Sequence, residues 1–99
     1  MNVFYELGDL KFVWDSDKAK INKQKHGISF ETAVCVFLDN NSYDDYDDFH
    51  SDEEDRIKIV GKVGEILAVI YTERGDRNRI ISARRATKGE RRDYYEQFF

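Results

Sequence analysis

Three short runs in the second half of the chain narrow its fold more than any other feature. Residues 56–62, 66–73 and 77–85 are rich in isoleucine and valine, and the breaks between them are Gly64-Glu65 and Gly75-Asp76. Runs of this length with short, glycine-containing breaks read as strands joined by hairpins. The favoured hairpin turns need positive φ, which glycine adopts at no steric cost. Three such strands in succession make an antiparallel meander. Alternation along 56–62 sets Ile57, Ile59 and Gly61 on one face and Arg56, Lys58, Val60 and Lys62 on the other. The near-continuous apolar run in 66–73 marks a central strand, buried on both sides. On 77–85 the same alternation groups Arg77, Arg79, Ile81, Ala83 and Arg85 against Asn78, Ile80, Ser82 and Arg84.

The first half supplies helices. Val3-Phe4-Tyr5 and Lys11-Phe12-Val13-Trp14 are short strand segments, expected to pair across Gly8-Asp9. Asp15 is a good N-cap for a helix over 16–26, and Gly27 a good terminator. Ala19, Asn22 and His26 form one weakly apolar stripe of that helix. Ser29 caps a second helix, where Phe30, Ala33, Val34, Phe37 and Leu38 keep the spacing of a buried helical face. Thr87 caps a last helix over 88–99, with Glu90 placed to complete a capping box. One of Tyr94 and Tyr95 is expected to pack into the core with Phe98. The fold class is α+β: two N-terminal helices and a C-terminal helix gathered against an antiparallel sheet. With 99 residues the chain is expected to be one domain, 1–99, burying about 65% of its unfolded surface.

Charge is unevenly spread behind a formal net of -4. Residues 39–55 hold nine acids (Asp39, Asp44, Asp45, Asp47, Asp48, Asp52, Glu53, Glu54, Asp55) and no Lys or Arg, and are expected to form a mobile loop. Between 56 and 92, eleven bases face only Glu65, Glu73, Asp76 and Glu90, a net of +7. A basic region of this kind attracts polyanions, although a charge run taken alone more often only solvates a surface. The arginines favour the first reading. Arg77, Arg79, Arg84 and Arg85 crowd one hairpin, with Tyr71, Glu73 and Arg74 at its edge. A guanidinium is a permanently charged fork of donors that fits phosphate oxygens. Four of them exceed what the neighbouring acids require.

Other chemistries find little in the sequence. The single Cys35 cannot form an intramolecular disulfide and falls within an apolar helix, as a core thiol. His50 lies among Asp48, Asp52 and Glu53 without the spacing or the glycine of a calcium loop, so no metal and no cofactor are expected. There is no glycine-rich phosphate loop and no Ser/His/Asp order. The chain has no long apolar run and no charged-then-apolar leader, so no membrane span or export is expected and a cytoplasmic location is.

Several of these residues stand in a familiar order. Trp14-Asp15, Asn22, the run Lys25-His26-Gly27-Ile28-Ser29-Phe30-Glu31, His50-Ser51, Tyr71-Thr72-Glu73-Arg74 and the run from Arg79 to Thr87 resemble the BrnT toxins over roughly residues 12–95. Within the last run, Ile81-Ser82-Ala83-Arg84-Arg85-Ala86 is the most specific part. Residues 1–11 precede the resemblance. It implies a RelE-like fold, ribonuclease activity that arrests translation, and neutralisation by a BrnA-type antitoxin with a ribbon-helix-helix DNA-binding domain. Operator DNA is then expected to be bound only through the antitoxin complex.

Cleaving RNA without a metal requires a deprotonated 2′-OH, an offset for the transition-state phosphate charge and a proton for the leaving 5′-oxygen. Arg79 and Arg84 are the candidates for the charge, with Lys25, Arg74, Arg77 and Arg85 binding phosphate. Tyr71 and Glu73, two apart on one strand face, could each relay a proton. His26, ordinarily titrating near about pH 6.5, suits acid–base exchange. At a helix end it equally suits satisfying the last carbonyls and the helix dipole. Two other classes stay open: a non-catalytic RNA-binding module using the same arginines, and an inactive toxin homologue acting as antitoxin co-repressor.

Overall fold

The computed structural model describes residues 1–46 and 55–98. Strands β1 (Asn2–Leu7) and β2 (Leu10–Asp15) pair antiparallel, the hairpin expected across Gly8-Asp9. Helix α1 (Ser16–His26) starts where the Asp15 carboxylate accepts the Lys18 N–H at 3.0 Å. It stops at Gly27, whose φ of 73° lies in the left-handed region where a Cβ is costly.

The second helix differs from expectation. Helix α2 (Phe30–Ala33) is a single turn, capped by Ser29, and the chain continues as a 3-10 segment over Val34–Leu38. Three residues per turn replace 3.6, so Phe30, Ala33 and Val36, spaced by three, are fully buried while Leu38 is 56% exposed. Gly61 allows this segment close to the sheet: a Cβ there would stand 3.0 Å from the Val36 Cβ. Cys35, expected in the core, is only half-buried.

The acidic stretch is also corrected. Its Tyr43–Tyr46 portion is strand β3, paired with β4. Asp39 is anchored rather than mobile, accepting from the Tyr94 hydroxyl at 2.6 Å and the Lys62 N–H at 2.8 Å. The His50 cluster lies outside the described residues. Strands β4 (Ile57–Val63), β5 (Glu65–Arg74) and β6 (Arg77–Arg85) form the meander, and α3 (Lys88–Glu96) closes the fold with the Thr87–Glu90 capping box.

The sheet order is β1-β2-β6-β5-β4-β3. It is not wholly antiparallel: β2 runs parallel to β6, with Phe12 opposite Asn78 and Val13 opposite Arg79. A parallel pair needs a long crossover, which α1 and everything up to β5 supply.

A β-bulge decides where the arginines go. Ile70 faces Ser82 while Tyr71 faces Ile80, leaving Ile81 as the extra residue. Alternation inverts across such an insertion. Ile80 and Ala83, three apart, therefore enter the same core. This corrects the uniform alternation expected on β6. Arg77 and Arg79 share a face with Ser82 and Arg84, and Arg85 points the other way.

The two faces have separate cores. Under α1 and α2 lie Phe12, Trp14, Phe30, Val36, Ile59, Leu67, Val69 and Ile80 among others, with the Trp14 and Phe30 rings edge-to-face at 5.7 Å. Asn22 ties α1 to this face. Its Nδ2 donates to the carbonyls of Ala83 (2.9 Å) and Ile28 (3.2 Å), and its Oδ1 accepts the Ala83 N–H at 3.1 Å. The opposite face has a smaller core of Val60, Ile66, Ala68, Ala86 and Tyr94 beneath α3. Tyr94, rather than Tyr95, is the buried tyrosine, and it packs on Phe98 at 5.7 Å. Among the described residues no helix is long and apolar enough to cross a membrane.

Candidate nucleic-acid interface

Strand register puts Arg74, Arg77, Arg79 and Arg84 on the α3 face of the sheet. Arg74 is opposite Arg77, Thr72 opposite Arg79 and Ala68 opposite Arg84. Lys58 joins them from β4 through its pairing with Ile70. Among the described residues α3 is the one helix on this face, and its packed residues sit over β4 and the first half of β5. The half formed by β1, β2, β6 and the end of β5 carries the arginines.

Their partners differ sharply. Arg84 donates twice to Glu90, at 2.7 and 3.1 Å, and the Lys58 ammonium lies 2.7 Å from the same carboxylate. Glu90 also accepts the Thr87 N–H at 2.8 Å. Burial pushes the Glu90 carboxyl up, but the hydrogen bonds from Arg84, Lys58 and Thr87 outweigh it and bring its pKa down to about 2. Hydrogen bonding to that carboxylate in turn raises Arg84. The two cations share the one Glu90 carboxylate, and together the three fasten α3 to the sheet.

Arg77 is held by the framework. It donates to the Phe12 carbonyl at 3.1 Å, its guanidinium stands 5.0 Å from the centre of the Phe4 ring, and Glu6 is 3.7 Å away. Arg79 is the least committed of the three: it reaches only the Asn2 side-chain oxygen, at 3.5 Å. Among the described residues no carboxylate lies within ion-pair distance of it. A half-buried guanidinium without a counter-charge is well suited to a phosphate, since little has to be broken to bind it.

The other expected site residues do not join this face. Tyr71 and Glu73 share the opposite face with Val69. Tyr71 is 6% exposed, its ring edge-to-face with Phe37 at 5.0 Å. Burial first, then the charges of Asp44 and Glu73, hold its phenol protonated far above the ordinary range. A phenol held protonated in this way does not serve as a general base at neutral pH. Glu73 is exposed near the tip of the β5–β6 hairpin. Burial and Glu73 together raise the Asp44 carboxyl beside it.

His26 and Lys25 end α1 on that same side of the sheet. The His26 carbonyl accepts from Arg85 at 2.9 Å, and Arg85 also pairs with Glu65 at 2.7 Å. Arg85 thus satisfies a helix terminus beside a recess of about 250 Å³ that Lys23, Ser29 and Thr32 also line. The residue that sequence reasoning missed on the arginine face is Lys58. Alternation had already placed it beside Val60, and that position was the signal.

The chain is similar to known toxins. The model of the family described as the BrnT ribonuclease toxin of type II toxin–antitoxin systems matches residues 14–90. Among solved structures, the 1.1 Å crystal structure of the Brucella abortus ribonuclease toxin BrnT superposes with a TM-score of 0.58 at 27% identity. The match covers 78% of this chain and 96% of that one. No curated protein matches the chain. The matched span runs from the strand that feeds α1 to the carboxylate that anchors α3, and the chain belongs to the BrnT family of ribonuclease toxins of type II toxin–antitoxin systems.

Proposed function

We propose that this chain is a RelE-like endoribonuclease, one cytoplasmic toxin domain spanning 1–99, that binds RNA across the arginine face of its sheet and cleaves it without a metal. The observation that carries the reading is Arg79, a guanidinium with no carboxylate partner among the described residues, set between Arg77 and Arg84 on one surface. Arg79 offsets the charge that develops on the phosphate, with Arg74 and Arg77 guiding the backbone and Arg84 adding field from its clamp. The 2′-OH is the nucleophile, because this face supplies cations and not paired carboxylates. Glu73, exposed at the hairpin tip, is the acid/base group nearest Arg74 in the chain; His26 and Tyr71 would act only on RNA that reaches round the sheet. A BrnA-type ribbon-helix-helix antitoxin silences the toxin by covering the arginine face with acidic and apolar residues. Operator DNA is bound through that complex.

The separation of Tyr71, Glu73 and His26 from the arginines favours a second reading, an RNA-binding or co-repressing homologue that does not cleave. One experiment divides the two. Purified chain incubated with RNA in EDTA is expected to yield fragments ending in 2′,3′-cyclic phosphate. Intact RNA, with or without magnesium, would leave the binding reading; cleavage only with magnesium would reject the metal-free mechanism.

A further inference from the structure

The N-terminal strand β1 lies outside the family's matched residues, yet it is laid directly against the arginines. Its exposed row is Asn2, Phe4 and Glu6, and each meets one of them: Asn2 meets Arg79, while Phe4 and Glu6 meet Arg77. Phe4 is the unusual member. It is 64% exposed on a strand where Val3, Tyr5 and Leu7 already fill the core side. An aromatic ring on the open face of a sheet gains little from burial there. Arg77 fixes its position, since the guanidinium over the ring is itself tied to the Phe12 carbonyl.

Across the sheet, Phe4 is opposite Val13, and Val13 is opposite Arg79. A ring and a guanidinium with no described carboxylate partner therefore stand two strands apart in one row, about 10 Å by the ordinary interstrand spacing. That distance fits a nucleotide lying across the strands, base at one end and phosphate at the other. Sheet-borne aromatics that stack unpaired bases beside basic side chains are a general solution for single-stranded RNA. Val13 lies between them in the row and is itself buried, so the strand separates the two groups without a side chain rising between them.

We propose that Phe4, held by Arg77, is a stacking platform for an unpaired nucleobase of the RNA whose phosphate is bound by Arg79. The proposal rests on the RNA-binding reading above and extends the interface onto the N-terminal hairpin. Stacking is insensitive to base identity, so the platform adds affinity and fixes direction without reading sequence.

The test measures binding of a fluorescent 2′-O-methyl oligoribonucleotide, which lacks the attacking hydroxyl, to the full chain over a range of salt. Phe4→Ala is expected to weaken binding about five- to a hundred-fold, and Phe4→Trp to restore it. The slope of log affinity against log salt should not change in Phe4→Ala, whereas Arg79→Ala should reduce it by about 0.7. Unaltered melting temperature confirms that an exposed position has been changed. If Arg79→Ala weakens binding and Phe4→Ala does not, the platform is wrong and the arginine face stands. If neither variant weakens binding, both readings fall. Tighter binding by Phe4→Ala would show that β1 shields the arginines and would overturn the proposal.

Discussion

The two faces of the sheet use polar residues in opposite ways. On the α1 side, polar groups are consumed by structure. Asn22 satisfies three backbone groups, Arg85 caps a helix terminus, and Tyr71 is buried with its ring packed on Phe37. On the α3 side, Arg84 and Arg77 are consumed in the same way and Arg79 is not. Arg84 is locked to Glu90, while Arg79, also on β6, keeps its charge unanswered by any described carboxylate. A charged residue's role follows from what faces it and not from its type. Arginine density marks a region; only the register shows which arginines remain available.

The sharpest way to break that comparison is to remove the central polar group of the covered face. Asn22→Leu would leave the Ala83 N–H and the carbonyls of Ala83 and Ile28 buried without partners. Each such group costs about 1–3 kcal/mol, so a total near 3 kcal/mol is expected after local relaxation. Urea unfolding should show this loss, while the folded fraction binds RNA as before. A cost below about 1 kcal/mol would mean that α1 does not depend on this contact.

Next in size is a contrast between two arginines on one strand. Arg79→Ala should cost about 1.5–3 kcal/mol in RNA affinity or cleavage, at least tenfold, and change stability little. Overproduced alone, that variant should no longer arrest growth. Arg84→Ala should act mainly on stability, because Glu90 then keeps only Lys58 and the Thr87 N–H. The sign follows from the depressed Glu90 pKa. A carboxyl ordinarily at 4.5 and held at about 2 in the fold contributes stability that is present above pH 4.5 and lost as pH falls towards 2. Arg84→Ala should therefore be destabilised by about 1–2 kcal/mol at neutral pH, with the gap to the parent closing in acid. Equal stability of the two variants at neutral pH would erase the distinction between clamp and free cation.

Much of this fold is readable before any coordinates. The turns at Gly64 and Gly75, the caps at Asp15, Ser29 and Thr87, and the β4 alternation all rest on local rules that tertiary packing did not override. What could not be read is non-local. The parallel seam between β2 and β6 joins residues 66 apart in sequence, and no local pattern specifies it. The bulge at Ile81 is half-visible: Ile80 and Ala83 are too far apart for strict alternation yet both apolar, which hints at an inserted residue. Because that insertion was missed, Arg85 was grouped with Arg79 and Arg84 was set apart. The switch of α2 to a 3-10 segment reflects the approach of Val36 to Gly61 on β4, again a contact between distant parts of the chain.

The smallest effect tests the same face logic at single-residue resolution, on β3. Asp44 and Asp45 are adjacent acids in the same acidic stretch, and composition treats them alike. Register separates them: Asp44 pairs with Ile59 on the covered side, and Asp45 pairs with Lys58 on the arginine side. Asp45 lies 3.7 Å from the Lys58 ammonium and is largely exposed, so the pair is weak and well screened. Asp45→Asn should nonetheless release part of the Lys58 field to the interface and tighten RNA binding about two- to threefold at low salt, fading as salt is raised. Asp44→Asn should leave RNA binding unchanged, since its carboxyl faces Glu73 and Tyr71 across the sheet from the arginines. It should instead stabilise the fold slightly by removing a crowded, partly desolvated acid. If both substitutions tighten RNA binding equally, the acidic stretch acts only through net charge, and the division of the sheet into a structural and a binding face fails at this strand.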